Sequence, residues 1–175
     1  DPSMVCLLME LADHGSLRQM LDASPSKIVG KSPVQASLAF DIASGLSYCH
    51  AQTPQPLLHH DIKSANVLLF ATDASGHERL TAKLADFGLA VGVSSASTAA
   101  ATATTKINAA GGTLAYRAPE TFGGKYTTAS EVYSYAIVLW ELLTGEKPWH
   151  RDANGQQYME VNVINNVANR KRRPE

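Results

Sequence analysis

Apolar residues recur along this chain with the spacing of helices in two long segments and as short compact runs elsewhere. Val34, Leu38, Ile42, Leu46 and Cys49 fall three or four positions apart, which places them on one face of an α-helix. Ser32 at the cap position and Pro33 at the first helical position predict that the helix starts there, and the pattern ends near His50. Ser130 opens a second long pattern, with Val132, Tyr135, Ala136, Leu139 and Leu142 at helical spacing, read as a buried helix, and Gly145 and Pro148 as its stop. Ser16 is placed to cap a short helix carrying Leu17, Met20 and Leu21. Residues 5–11 (VCLLMEL) form a nearly continuous apolar run, read as a buried strand that leaves the core through Asp13, His14 and Gly15. Residues 67–70 and 80–85 read as two strands joined by a turn at 73–77. The stretch 94–105 (SSASTAAATATT) contains no large apolar side chain and is expected to be a mobile loop whose serines and threonines are open to phosphorylation.

Composition narrows the class without naming a function. The 175 residues are 45% hydrophobic, enough for about one domain with a core. Only 18% are charged and the net charge is -1, so no basic excess points to nucleic acid or to an anionic membrane. The longest comparable apolar stretch, 136–143, contains Glu141 and is far too short to span a bilayer. Cys6 and Cys49 lie far apart without metal-ligand spacing, so both are expected to be small buried hydrophobes in a reducing, intracellular setting. The chain begins at Asp1 and enters an apolar segment almost at once, which reads as a piece of something longer.

Three polar clusters sit between the apolar segments: residues 59–66 (HHDIKSAN), Asp86-Phe87-Gly88, and Ala118-Pro119-Glu120. Asp61 and Lys63 are two apart, so in an extended loop both side chains face one pocket. A carboxylate there accepts a hydroxyl proton while an ammonium meets an anionic group. Asn66 and Asp86 offer oxygen ligands from separate segments, which suits magnesium, a hard ion that keeps substrate phosphates and water in its shell. Together these groups describe a phosphoryl-transfer site.

At these residues the sequence resembles the eukaryotic protein kinases: HHDIKSANVLL resembles their catalytic loop, LADFGLA their magnesium-binding segment, GGTLAYRAPE the end of their activation segment, and SEVYSYAIVLWELLTGEKPW the central helix that follows. The resemblance implies an α+β fold, the mainly helical large lobe with short β-hairpins. Residues 1–175 would be a partial kinase domain from the interlobe hinge to the region after the central helix, with the small lobe and the last helices missing. It implies transfer of the ATP gamma-phosphate, with Mg2+, to serine or threonine hydroxyls of a protein substrate. Lys63-Ser64 and Thr113 lean to the serine/threonine class, and WELLTGEKPW to its tyrosine-kinase-like group. The implied location is the cytoplasm, or the cytoplasmic part of a longer membrane protein; no nucleic-acid partner is implied.

By the same resemblance Asp61 orients the acceptor hydroxyl and takes its proton, Lys63 stabilises the transferring phosphoryl group, and Asn66 and Asp86 hold Mg2+. Met9 stands at the back of the adenine pocket, residues 10–12 (Glu10 to Ala12) form the hinge, and Leu68 is the apolar floor beneath the base. His59, Phe87 and Gly88 keep the site assembled, and Glu120 pairs in the family with an arginine that Arg173 precedes, so Glu120 is expected to lack that partner. His60 stands where the family has arginine, which implies little dependence on activation-loop phosphorylation; the rival reading makes His60 a cationic partner in mild acid. Glu131 stands in place of an aspartate that anchors the catalytic loop and Ala136 in place of a glycine, and the added methylene at Glu131 is expected to shift the loop. With no glycine-rich loop, strand lysine or helix glutamate before Met4, the 175 residues alone are expected to be inactive. The alternatives are a pseudokinase-like scaffold or binding fragment, and a related small-molecule phosphotransferase.

Overall fold

The computed structural model describes residues 6, 8–72, 79–92, 113–152 and 154–174. Helix α1 (Leu17–Ala23) starts at Ser16, whose hydroxyl accepts the Gln19 N–H while the Gln19 side chain accepts the Ser16 N–H at 2.8 Å. This reciprocal capping satisfies two donors that a helix start leaves unpaired. Gly15 precedes it with φ 65°, and a Cβ there would lie 2.5 Å from the Gln19 amide oxygen, so both backbone and space call for glycine.

Helix α2 (Ser32–His50) buries the expected stripe of Leu38, Ile42, Leu46 and Cys49 and ends at His50 as the pattern predicts. Its start differs by one residue. The Gln35 N–H bonds the Lys31 carbonyl at 2.9 Å, so Lys31 flanks the helix, Ser32 is its first residue and makes no side-chain cap, and Pro33 is its second.

Helix α3 (Thr128–Thr144) begins two residues before the expected Ser130. Thr127 is the cap, and Ser130 is its reciprocal partner: the Ser130 N–H donates to the Thr127 hydroxyl at 3.2 Å and the Thr127 N–H to the Ser130 hydroxyl at 3.0 Å. The stop at Gly145 is as expected, with φ 78°, and a Cβ there would press against Val29 at 3.0 Å. The apolar pattern read from the sequence is met in part: Leu142 is buried, and Tyr135 and Leu139 pack against the core. Val132 is 53% exposed and Ala136 is exposed, while Ser130, Glu131, Ile137, Val138, Glu141 and Leu142 are buried. Helix α3 is apolar on most of its circumference, so periodicity alone does not choose a side; the buried carboxylates do, because they face hydrogen-bond donors on other segments. Helix α4 (Glu160–Ile164) runs directly into a π-helical turn, Asn165–Asn169.

Two antiparallel pairs complete the described fold. Strand β1 (Leu57–Leu58) pairs with β4 (Val91–Gly92), and β2 (Val67–Thr72) pairs with β3 (Arg79–Leu84) from Val67 opposite Leu84 to Thr72 opposite Arg79. The turn at 73–77 and the run at 94–105 lie outside the described residues. The strand expected over 5–11 is not formed at residues 8–11, where Leu8 is 98% and Leu11 88% exposed, and Cys6 is exposed rather than buried. An apolar run becomes a buried strand only where another strand pairs with it, and none among the described residues does. The chain is fixed just beyond. The Asp13 carboxylate accepts the Ala71 N–H at 3.0 Å, the His14 N–H donates to the Leu69 carbonyl at 3.1 Å, and the Leu69 N–H returns to Gly15 at 2.9 Å.

The main core joins α1, α2, α3 and the β2–β3 hairpin through Leu17, Leu21, Leu38, Ile42, Leu69 and Leu142, and a smaller cluster of Trp149, Val163 and Val167 lies toward the C-terminal end. Among the described residues no helix is long and apolar enough to cross a membrane.

Candidate active site

Residues 59–66 connect β1 to β2 and run beneath the segment that carries Asp86. His59 is fully buried; its Nε2 lies 2.9 Å from the Ala85 carbonyl, and its Nδ1 accepts the Asp61 N–H at 3.4 Å. This arrangement places the imidazole proton on Nε2 and makes the ring a structural tie between the two segments. Phe87 stacks on it with ring centroids 4.7 Å apart. Asn66 adds a second tie, its backbone carbonyl accepting the Ala85 N–H at 2.9 Å, which sets Asp86 beside it.

His60 adopts φ 66°, in the left-handed region. Its N–H donates to Glu131 Oε1 at 2.7 Å, and Glu131 Oε2 meets His50 Nε2 at 2.8 Å. Glu131 therefore clamps the backbone of the 59–66 segment to the first turn of α3 and the last residue of α2. The His60 ring packs edge-on against Tyr126 at 4.8 Å, and burial holds the imidazole below its ordinary pKa although the Glu131 charge opposes this.

The turn at His60 delivers Asp61 to the centre of the cluster. Lys63 Nζ lies 2.6 Å from Asp61 Oδ2, and Asn66 Nδ2 donates to the same oxygen at 3.0 Å and to the Asp61 carbonyl at 2.9 Å. Lys63 also donates to the Thr113 hydroxyl at 3.0 Å, and Thr113 approaches Asp61 Oδ1 at 3.4 Å through both its N–H and its hydroxyl. The side chains of Asp61, Lys63, Asn66 and Thr113, drawn from two segments, thus meet in one place.

Asp86 also sits in the left-handed region, at φ 63°, exposed, with Oδ1 accepting the Gly88 N–H at 3.4 Å. Such a backbone costs a non-glycine residue about 1–3 kcal/mol and persists only where neighbours enforce it. The donor chemistry fits magnesium. Asn66 spends its side-chain amide protons on Asp61, which leaves its side-chain Oδ1 as a ligand, and the Asp86 carboxylate faces solvent. Two oxygen ligands from separate segments suit an ion whose shell phosphate and water complete.

Before α1, Met9 is 62% exposed, Glu10 pairs with Lys83, and the Ala12 carbonyl accepts the Gly15 N–H at 3.3 Å. Leu68 is partly buried and lies opposite Lys83 in the β2–β3 ladder, so the two share a face of the hairpin. Glu120 lies in a turn of 3₁₀ helix near Tyr133, whose phenol its charge helps to push upward after burial; Arg173 stacks on that same ring at 4.7 Å.

Sequence reasoning missed a second polar centre. Glu141 is fully buried on α3, and its Oε1 accepts from Arg18 Nη1 at 2.9 Å, Ser64 Oγ at 2.8 Å and Tyr116 Oη at 2.9 Å. Burial raises the Glu141 pKa against the pull of these donors, and burial beside Glu141 raises that of Tyr116 further. The signal was present as a lone acidic residue inside the apolar run 136–143, where it counted only against a membrane span.

Comparison with known proteins agrees with this geometry. The protein kinase domain family matches residues 1–175. A mitogen-activated protein kinase kinase kinase of Drosophila melanogaster is 37% identical over 149 residues, covering 83% of this chain and 12% of the relative. Mitogen-activated protein kinase kinase kinase 10 of Homo sapiens is 35% identical over 153 residues, covering 85% and 14%. PTI1-like tyrosine-protein kinase 1 of Arabidopsis thaliana is 37% identical over 166 residues, covering 90% and 42%. The chain thus spans less than half the length of these relatives. From the family match and this clustering of side chains, the chain belongs to the protein kinase domain family.

Proposed function

We propose that these residues form the large lobe of a serine/threonine protein kinase of the tyrosine-kinase-like group, transferring the gamma-phosphate of ATP to a protein hydroxyl. The observation that carries this reading is the meeting of Lys63 Nζ and Asn66 Nδ2 on one Asp61 carboxylate oxygen, at 2.6 and 3.0 Å. Asp61 is the only carboxylate in that group, and its position gives it the acceptor hydroxyl to orient and the proton to receive. As the hydroxyl oxygen bonds to the gamma-phosphorus, the bond from that phosphorus to the bridging oxygen breaks and ADP leaves. Lys63 stabilises the charge on the transferring group, which is where a preorganised cation contributes most. Asn66 and Asp86 hold Mg2+, which when bound neutralises phosphate charge and aligns the nucleotide.

Met9, Glu10 and Ala12 border the adenine side, with Leu68 beneath the base. Thr113, hydrogen-bonded to Lys63, narrows the approach to Asp61 and favours a short serine or threonine hydroxyl. The same reading carries a cytoplasmic location, with the chain there alone or as part of a longer membrane protein.

The test is magnesium-dependent transfer from ATP to serine, threonine and tyrosine peptides by the full-length protein. Transfer to serine or threonine, lost by a factor of about 10² to 10⁴ in Asp61→Asn, supports the reading. Transfer confined to tyrosine overturns the class, and no transfer leaves a pseudokinase-like scaffold.

A further inference from the structure

Helix α4 and the π-helical turn after it carry a polar pocket in which the transfer group and the magnesium pair take no part. It measures about 350 Å³, and its walls include Tyr158, Asn162, Asn165, Asn166, Arg170 and Arg172. Positions 162, 165 and 166 are three or four apart, so one helical face gathers three amides. The turn Asn165–Asn169 is π-helical, a geometry frequent at functional sites. On its other side Val163 and Val167 pack against Ala115 and Phe122, which seats the pocket on a firm base.

The lining residues are held in place while their donors stay unspent. The Arg170 N–H bonds the Asn165 carbonyl at 3.1 Å and the Arg172 N–H the Asn166 carbonyl at 2.9 Å, so both arginines are tied to the turn by their backbone. Lys171 between them is left-handed at φ 53°, a strained turn that lets Arg170 and Arg172 line the same pocket. Asn165 Oδ1 accepts from Asn169 Nδ2 at 2.9 Å, which leaves the Asn165 amide protons to donate. Asn166 is only 5% exposed, yet its side-chain amide meets no hydrogen-bond partner among the described residues. A buried amide without a partner is costly, and a bound acceptor relieves that cost.

Two guanidiniums and three amides together call for an acceptor-rich anion. A phosphate monoester supplies three oxygens and a charge of about -2. We propose that this pocket binds a phosphorylated side chain of a protein segment, with Arg170 and Arg172 pairing the phosphate and Asn162, Asn165 and Asn166 donating to its oxygens. Asp152 favours a peptide as the carrier. It is the acidic residue that lines the pocket among those described, and its Oδ1 already accepts the Asn154 and Gln156 N–H groups at 2.9 and 2.8 Å. A carboxylate there suits the N–H groups of a peptide backbone and repels a polyanion such as nucleic acid or an anionic lipid surface. Met159 and Val161, each 64% exposed at the start of α4, give apolar residues flanking the phosphate a surface to cover. The site does not depend on whether the chain transfers phosphate.

The experiment measures binding of degenerate peptide pools centred on phosphoserine or phosphotyrosine, and of the same pools unphosphorylated, to the full-length protein at about 0.15 M salt. Inorganic phosphate and phosphoinositide-containing vesicles serve as competitors. A phosphorylated pool binds at least about tenfold more tightly than its unphosphorylated counterpart, and the double variant Arg170→Gln, Arg172→Gln removes that preference. Both arginines are exposed, so the double variant melts within about 2 °C of wild type. Asn166→Ala weakens the preference, whereas Asp61→Asn keeps it, which separates this pocket from the transfer site. Equal binding of the two kinds of pool, or a preference that survives in the double variant, overturns the proposal. Competition by inorganic phosphate at the concentration of the peptide itself, or binding to the vesicles in place of the peptides, overturns the protein segment as the carrier.

Discussion

His60 occupies the position at which its resemblance to the kinases leads one to expect a phosphate-pairing arginine, and its surroundings explain how an imidazole serves there. The backbone is held left-handed by the bond from its N–H to Glu131, the ring lies against Tyr126, and burial keeps it neutral near pH 7. A neutral ring gives a phosphate no charge to pair with, so phosphatase treatment of the full-length protein is expected to change its transfer rate by less than about threefold; a larger loss contradicts this. The lowered pKa has a second consequence. Below about pH 6.5 the unfolded chain binds a proton at His60 that the folded chain does not, so stability falls as pH drops from there toward the lower folded value. Asparagine tolerates the left-handed backbone and does not titrate. In His60→Asn the decline of the melting temperature between pH 6.5 and 5.5 is therefore expected to be shallower than in wild type, as a pH series of thermal melts reads directly. Asp61, Lys63 and Asn66 stood out in sequence because they crowd into one short polar cluster, and Asp86 because Phe87 and Gly88 follow it on a separate segment. Glu131 was read as an anchor of the loop, and its side chain reaches both the His60 N–H and His50.

Among the elements, α3 carries the most function per turn. Its capping box at Thr127 and Ser130 fixes where the helix starts, and that start sets Glu131 under the catalytic loop and Glu141 under the Ser64 turn, ten residues further along. Glu131→Ala leaves the His60 N–H buried without its acceptor, which costs about 1–3 kcal/mol. Glu131→Gln keeps an acceptor for that N–H. The expected order of both melting temperature and transfer rate is wild type, then Glu131→Gln, then Glu131→Ala, checked by thermal unfolding and steady-state assay of the full-length protein; a Gln variant as impaired as Ala would place the whole effect in the charge. The pattern read on α3 holds at Leu142, Tyr135 and Leu139 and fails at Val132 and Ala136, because most positions of that helix are apolar, whereas α2, with a cleaner contrast between its faces, was read with the correct buried residues. The strand at 5–11 failed for a related reason. Apolar content signals burial, but pairing is a property of two segments, and residues 8–11 have no strand beside them among the described residues.

At the scale of the molecule, one core gathers α1, α2, α3 and the β2–β3 hairpin, and the site sits on its edge, tied down by backbone and side-chain hydrogen bonds formed by protein groups alone. Chelation of divalent ions is therefore expected to abolish transfer by the full-length protein while shifting its melting temperature by no more than about 2 °C; a large drop in stability would show that the ion also organises the fold. The sequence by itself determined the identity and order of the chemical groups, the two long helices and the β2–β3 hairpin, because each depends on neighbours within a turn or a ladder. Only the tertiary structure decided which face of α3 is buried, that the residues before Asp13 stand exposed, and that Glu141 links Arg18, Ser64 and Tyr116. Those outcomes depend on contacts between residues separated by 25 to 123 positions, and a buried carboxylate reveals its purpose only when its donors arrive from elsewhere in the chain.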